Sequence, residues 1–249
     1  AKRLQKVLPL IISSDQQGFI QNRYIGFNIR QIQDIIDYTD ELDLEGTILF
    51  LDFRKAFDTV EWNFMFETLK LFNFDHSFIT WVKCLYTNIS TCIYNNGWKS
   101  ETFYPTRSIR QGCPLSSLLF IVVVEILAIK IRSAENITGI EVNLGEIKQL
   151  KITQLADDTT LFVKNEIELS NALHIVDEFG LYSGLKLNKN KTEALLIGSS
   201  KHNLQASIAG IKCATMVKAL GVYFGHDKKE CEHLNWEDKI KSCINSINN

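Results

Sequence analysis

The sequence predicts an α+β fold centred on a split β-α-β-β-α-β unit, a ferredoxin-like antiparallel sheet with two helices on one face. Three observations predict it. A β-rich run at residues 47–53, Thr-Ile-Leu-Phe-Leu-Asp-Phe, is followed by an apolar helical stretch at 115–131. Two short β-rich segments within 154–163 turn about Asp157-Asp158. A second helical stretch at 169–182 leads to a further β-rich segment at 193–198. In this arrangement the sheet face away from the helices is free for a ligand.

The elements follow in order. Residues 29–42 carry Ile29, Ile32, Ile35, Ile36 and Tyr38 at helical spacing. The run at 47–53 is a buried strand. Asp58-Thr59-Val60-Glu61 has the form of a capping box and opens a helix over 60–72. Ser77 caps another helix, with Phe78, Trp81, Val82 and Leu85 on its apolar face. Residues 90–104 form a hairpin about Asn95-Asn96-Gly97, a strong turn signal. A second hairpin at 139–152 turns near Gly145. Gly184 closes the helix at 169–182. A final strand covers 217–224, with Gly221 inside it.

Composition narrows the class. The chain has 249 residues, enough for one or two domains, with 45% hydrophobic and 22% charged residues. That balance excludes a disordered or collagen-like chain. The longest nearly apolar stretch, 118–129, contains Glu125 and falls short of the roughly 20 residues of a membrane span. No secretory-type apolar run opens the sequence, so an intracellular location and no membrane partner are expected. The net charge of −2 gives no general basic field. Contact with a polyanion would rest on local clusters: Lys2, Arg3 and Lys6; Arg107 and Arg110; Lys186, Lys189 and Lys191. The six cysteines have no CxxC spacing and read as free thiols.

The carboxylates carry the chemistry. Asp52 interrupts a run that otherwise favours burial, and a buried unpaired charge costs several kcal/mol. It therefore needs a cation, an arginine or open water. Asp157-Asp158 places two like charges in a turn with apolar, β-rich flanks. In a split βαβ sheet the end of the first strand meets the tip of the central hairpin, so Asp52, Asp157 and Asp158 converge. Oxygen donors of this kind suit Mg²⁺ or Mn²⁺, and paired metals serve phosphoryl transfer.

At this point the chain resembles a reverse transcriptase of the non-long-terminal-repeat (LINE-type) retrotransposon class, related to group II intron enzymes. The resemblance runs from about Leu8 to Phe224 and follows the order of the family's motifs. The first motif is Phe50-Leu51-Asp52-Phe53-Arg54-Lys55-Ala56-Phe57-Asp58. It implies that Asp52 and the carbonyl of Phe53 are metal ligands. It also implies that Phe57 is a steric gate against a 2′-hydroxyl, which separates ribonucleotides from deoxynucleotides. The second motif, Arg110-Gln111-Gly112-Cys113-Pro114-Leu115-Ser116, implies that Arg110, Gln111 and Gly112 border the template and incoming nucleotide. The third, Leu155-Ala156-Asp157-Asp158, implies that Asp157 and Asp158 are the remaining metal ligands, with Leu155 where the family has an aromatic residue. Ser117 likewise stands where relatives usually have proline. A fourth motif, from Gly184 to Glu193, implies that Lys191 protonates leaving pyrophosphate or holds phosphate. Leu220-Gly221-Val222-Tyr223 resembles the primer-grip hairpin. Gln17-Gly18-Phe19 and Arg23 resemble a fingers motif, in which Arg23 binds the nucleotide triphosphate.

The resemblance implies a right-hand polymerase palm with interleaved partial fingers and a truncated thumb. Residues 1–225 would form the reverse transcriptase domain. Its fingers would be mainly 1–46 and 73–110, and its palm mainly 47–72 and 111–225. Residues 226–249 would begin the thumb or form a disordered tail, making the chain a fragment. The implied activity is RNA-directed DNA polymerisation with two Mg²⁺ ions, or Mn²⁺ in their place. Its partners would be an RNA template, a DNA primer and deoxynucleotide triphosphates. Two other classes fit part of the pattern: a catalytically silent nucleic-acid-binding remnant, and a metal-dependent phosphatase or nuclease. The latter leaves 110–116 and Phe57 without a role.

Overall fold

The computed structural model describes residues 1–143, 145–203 and 205–247. Helix α1 (Lys2–Ile11) buries Leu4 and Leu8, one turn apart, and ends where Ile12 becomes extended. Helix α2 (Gly26–Glu41) buries the expected stripe of Ile32, Ile35 and Ile36. Strand β1 (Glu45–Leu51) is buried at every position after Glu45. One turn of helix, α3 (Ala56–Thr59), precedes α4 (Trp62–Leu71) and α5 (His76–Tyr86). A small hairpin, β2 (Tyr94–Asn95) and β3 (Trp98–Lys99), turns at Asn96-Gly97 as expected. Helix α6 (Ser116–Ser133) is apolar on nearly every side because it lies between the sheet and helices α1 and α4.

Hairpin β4 (Ile140–Asn143) with β5 (Ile147–Leu150) follows; residue 144 of the expected turn lies outside the described residues. Strands β6 (Ile152–Leu155) and β7 (Asp158–Val163) make the central hairpin. Helix α7 (Glu166–Ser183) packs beside α6 and stops at Gly184, whose φ of 83° is left-handed. Strand β8 (Glu193–Gly198) matches its expected bounds. Short strands β9 (Ser207–Ile208) and β10 (Ile211–Ala214) lead to hairpin β11 (Met216–Ala219) with β12 (Val222–Gly225), then to helix α8 (Lys228–Ile247).

The main sheet has the order β6-β7-β1-β8-β10-β9. Its first four strands are the split βαβ unit, with β1 antiparallel to both β7 and β8. The sheet is not wholly antiparallel, because β10 adds parallel to β8. Along β1, alternate side chains serve two separate cores. Leu49 and Leu51 join α6 and α7 on one face. Ile48 and Phe50 join Phe162, Leu195 and Ile197 on the other.

That second face is not open along its length, as the sequence had implied. It is covered by Ile32, Ile35 and Ile36 of α2, by Ile140 and Val142 of β4, and by Val217 and Phe224 of the β11–β12 hairpin. A strand that is apolar on both faces must be dry on both.

Three local expectations are corrected. The helix predicted from residue 60 begins at Trp62, and Asp58 lies in α3. The amide of Glu61 bonds the Ser183 carbonyl and the Val60 carbonyl accepts from Ser108, which keeps this backbone extended. The cap of α5 is Asp75, whose carboxylate accepts from the Ser77 amide at 2.9 Å. The final strand is a hairpin, turned by Leu220 and Gly221 at φ 54° and 76°. The segment expected to begin the thumb or form a disordered tail is helical through residue 247, and residues 248–249 lie outside the described residues. Among the described residues no helix is long and apolar enough to cross a membrane. All six cysteines are free.

Candidate active site

Asp52 follows β1 and Asp158 opens β7. The antiparallel register pairs Leu51 with Thr159, so one step further Asp52 stands opposite Asp158. Directly opposed residues share a sheet face, with Cβ atoms about 4.5–5.5 Å apart. By alternation that face is the one bearing Ile48, Phe50 and Phe162. The cover ends there: Phe224 stacks on Phe50 at 6.0 Å, and the carboxylates lie beyond. Asp157 occupies the tip between Leu155 and Asp158.

The charges are coupled. Burial, then the negative charges of Asp157 and Asp52, push the Asp158 carboxyl above its ordinary value. Among the described residues no ion pair reaches any of the three aspartates. Among the described residues no group of three acidic, histidine or cysteine side chains is already gathered closely enough to hold an ion. The geometry brings Asp52 and Asp158 together on one face, with Asp157 at the tip beside them.

The segment before β8 is stitched to the end of β1. The Asn188 amide donates to the Asp52 carbonyl at 2.7 Å, and the Arg54 amide to the Lys186 carbonyl at 2.9 Å. The Asp52 amide donates to Thr192 Oγ1 at 3.3 Å. Phe53 pairs with Leu187 between these bonds, so its own amide and carbonyl face away from this segment. Lys191 sits in the turn made by the Lys191 and Thr192 amides on the Asn188 carbonyl. The result is a cleft of about 420 Å³ lined by Asp52, Phe53, Arg54, Lys55, Asn188 and Lys191. Arg54 and Lys55 beside Asp52 had been assigned no role from sequence.

A second cleft, of about 320 Å³, is lined by Phe19, Phe57, Gln111, Gly112, Cys113 and Ser116. Phe57 stacks on Phe120 with centroids 4.2 Å apart and planes at 17°. The Ile109 amide bonds the Phe57 carbonyl at 2.6 Å, and Gln111 Nε2 donates to Asp58 Oδ1 at 3.1 Å. Gly112 has φ 78°, a conformation that favours glycine. Arg110 is exposed, and its carbonyl accepts from the Ser116 hydroxyl.

Arg23 does not face the site as a free cation. Its guanidinium donates to the carbonyls of Ser13, Gln16 at 2.7 Å and Ile12 at 3.0 Å. The Ile12 and Ser13 carbonyls lie just past the C-terminal end of α1, where a cation is favoured. Arg23 therefore organises the loop that follows α1. That loop brings Gln16 against Ala156, a contact missed from sequence because a buried glutamine in a polar stretch leaves no periodic signal. Leu220 and Gly221 turn a hairpin whose Phe224 packs next to the carboxylate face.

The reverse transcriptase (RNA-dependent DNA polymerase) family matches residues 1–234, and the chain belongs to that family. It is 28% identical over 229 residues to the transposon TX1 uncharacterized 149 kDa protein of Xenopus laevis, covering 91% of this chain and 17% of that one. It is 28% identical over 176 residues to the Pol polyprotein from the type-2 retrotransposable element R2DM of Drosophila melanogaster, covering 71% of this chain and 16% of that one. The chain thus spans under a fifth of the length of these two relatives. Both are transposable-element proteins, in agreement with the LINE-type resemblance. Among solved structures, telomerase from Candida tropicalis in complex with a TWJ fragment of telomeric RNA shares the fold at a TM-score of 0.62 and 13% identity. That match covers 90% of this chain and 35% of the telomerase chain.

Proposed function

We propose that this chain is the polymerising core of a retrotransposon reverse transcriptase, extending a primer 3′-hydroxyl with deoxynucleotide triphosphates along an RNA template. The single observation that carries the proposal is the Asp52–Asp158 pair at the uncovered end of one sheet face, in a chain of the reverse transcriptase family. Residues 1–46 and 73–110 would act mainly as fingers, 47–72 and 111–225 mainly as palm, and α8 as the start of the thumb.

The carboxylate edge offers oxygen donors, which suit hard divalent cations. Asp52, the Phe53 carbonyl, Asp157 and Asp158 would hold two Mg²⁺ or Mn²⁺ ions. When bound, such ions neutralise phosphate charge and activate the primer hydroxyl. Burial and, after it, the charges of Asp157 and Asp52 raise the Asp158 carboxyl, and bound ions would relieve that repulsion.

The chain's own residues supply position. Lys191, Arg54 and Lys55 line one cleft with Asp52 and would draw in the triphosphate. Phe57, fixed by its stack on Phe120, would bar a 2′-hydroxyl. Gln111 and Gly112 would lie along the templating base pair, and Leu220-Gly221 along the primer. Catalysis of this kind is orientation plus charge stabilisation.

The test is extension of a DNA primer on an RNA template by the purified chain with Mg²⁺ or Mn²⁺. Wild type extends; Asp52→Ala does not, and melts near the wild-type temperature. Extension by Asp52→Ala at the wild-type rate overturns the assignment. Template binding without extension by wild type identifies a silent remnant, and degradation identifies a hydrolase.

A further inference from the structure

The turn that carries Asp157 and Asp158 is gripped from behind by one buried amide. Gln16 has no solvent exposure. Its Oε1 accepts from the Ala156 amide at 2.7 Å, and its Nε2 donates to the Ala156 carbonyl at 3.2 Å. The same Oε1 accepts from the Gly18 amide at 2.7 Å. One side chain thus satisfies both backbone polar groups of the residue just before Asp157.

Ala156 needs such a grip. Its φ is 57°, in the left-handed region that a Cβ disfavours. It is the first of two residues joining Leu155 to Asp158, a place where hairpins favour glycine. Released, an alanine relaxes toward negative φ and swings the two residues that follow.

The loop that bears Gln16 is itself anchored. The Gln154 amide donates to the Asp15 carbonyl and the Gln17 amide to the Gln154 carbonyl, each at 2.8 Å. Arg23 ties together the Ser13 and Gln16 carbonyls on either side of Ser14-Asp15, and Arg132 pairs with Asp15 at 2.7 Å. Contact is also close: a Cβ on Gly18 would lie 2.4 Å from the Ala156 nitrogen. Gln16 therefore transmits a fixed frame to the carboxylate turn.

We infer that Gln16 is a positioning residue, holding Ala156 in its left-handed conformation so that Asp157 and Asp158 stand beside Asp52. The inference rests on the polymerase function proposed above, and it adds a residue from the N-terminal loop to that site. Gln16 touches no reacting atom; it acts through the backbone of Ala156.

Gln16→Met tests it, since methionine keeps the length and shape and loses all three bonds. Leu173→Ala, a core truncation in α7, is the stability control. Two readouts are taken: hydrogen–deuterium exchange of residues 155–158 in the protein alone, and the Mg²⁺ concentration that half-saturates primer extension. In Gln16→Met, exchange at 155–158 accelerates while α7 exchanges as in wild type. The half-saturating Mg²⁺ concentration rises roughly 10-fold, the usual cost of losing a group that orients a metal ligand. The half-saturating primer–template concentration stays at its wild-type value. Leu173→Ala melts earlier and moves neither readout. Gln16→Glu keeps the two bonds accepted by Oε1 and loses the one to the Ala156 carbonyl; it replaces Gln16→Met if that variant does not fold, and smaller shifts in the same directions are expected. Wild-type exchange at 155–158 in the Gln16 variant overturns the inference. So does an unchanged Mg²⁺ dependence, or a Leu173→Ala protein that shows both changes. If wild type extends no primer, the proposed function fails, and exchange at 155–158 alone decides the role of Gln16.

Discussion

Replacing Arg132 by methionine strips the partner from a nearly inaccessible carboxylate. The Glu125 side chain is 2% exposed, and its Oε1 lies 2.6 Å from Arg132 Nη2. Among the described residues its Oε2 has no hydrogen-bond partner. Burial raises the Glu125 carboxyl above its ordinary value, and the bond and charge of Arg132 hold that rise back. Breaking a buried pair from one side costs about 3–5 kcal/mol. Arg132 is itself 31% exposed, which places the loss near about 3 kcal/mol. For a chain of this size that is a drop of roughly 6–12 °C in melting temperature.

The loss depends on pH. A carboxyl raised in the folded state favours folding below its unfolded value, about 4.3 for glutamate, and that contribution fades as pH climbs through the folded value. Without Arg132 the folded value rises further. The deficit of Arg132→Met is therefore smallest near pH 5 and largest near pH 8, as measured by urea denaturation at both. Glu125→Leu with Arg132→Leu restores most of the stability, because no charge is left buried in α6. Equal deficits at the two pH values, or a double variant as unstable as Arg132→Met, would refute this account.

Two further predictions concern other parts of the chain. Glu168 is buried at the start of α7, which works to raise its carboxyl. Bonds from the Thr138 hydroxyl and from the amides of Lys164, Thr138 and Gly139 outweigh this and hold it below the usual value. A lowered carboxyl stabilises the fold above its unfolded value and loses that contribution as pH falls through the folded one. Glu168→Gln should thus cost about 2 kcal/mol near neutral pH and progressively less toward pH 3 in denaturation measurements. Phe57→Val opens the second cleft and should cut discrimination against ribonucleotides about 10-fold or more, equivalent to about 1.4 kcal/mol. Single-nucleotide insertion with matched ribo- and deoxynucleotides measures it, and an unchanged ratio would remove Phe57 from the gate.

Much of the fold is legible because its signals are local. The run at 47–53, the segments flanking Asp157 and the stretch at 193–198 are short, apolar and β-rich, and each became a strand of the central unit. The meeting of Asp52 with Asp158 followed from topology rather than from either segment alone. The covered second face was also written in the sequence: 47–51 shows no polar alternation, so both sides of β1 had to be dry. Other features have no local signature. Strand β10 is four residues long and gains its place only by pairing with β8. Arg23 looks like any exposed cation until three carbonyls of one loop are found around it. Gln16 is a polar residue in a polar stretch, and its burial depends on contacts with residues some 140 positions away.

The placement of charge at the end of β1 also explains why the site should survive loss of its own carboxylates. Two loops fix the two strand ends through backbone groups. Residues 186–192 bond the amide and carbonyl of Asp52, and Gln16 bonds the amide and carbonyl of Ala156. Alanine at position 52 keeps both of its backbone groups, and among the described residues the Asp52 side chain makes no ion pair whose loss would strand a partner. Removing it subtracts one negative charge from a repelling set, which lowers the Asp158 carboxyl toward its ordinary value. Asp52→Ala should therefore unfold no earlier than wild type even as extension is lost. A large drop in its melting temperature would mean that the Asp52 carboxylate holds the sheet together, contrary to the geometry of the strand ends.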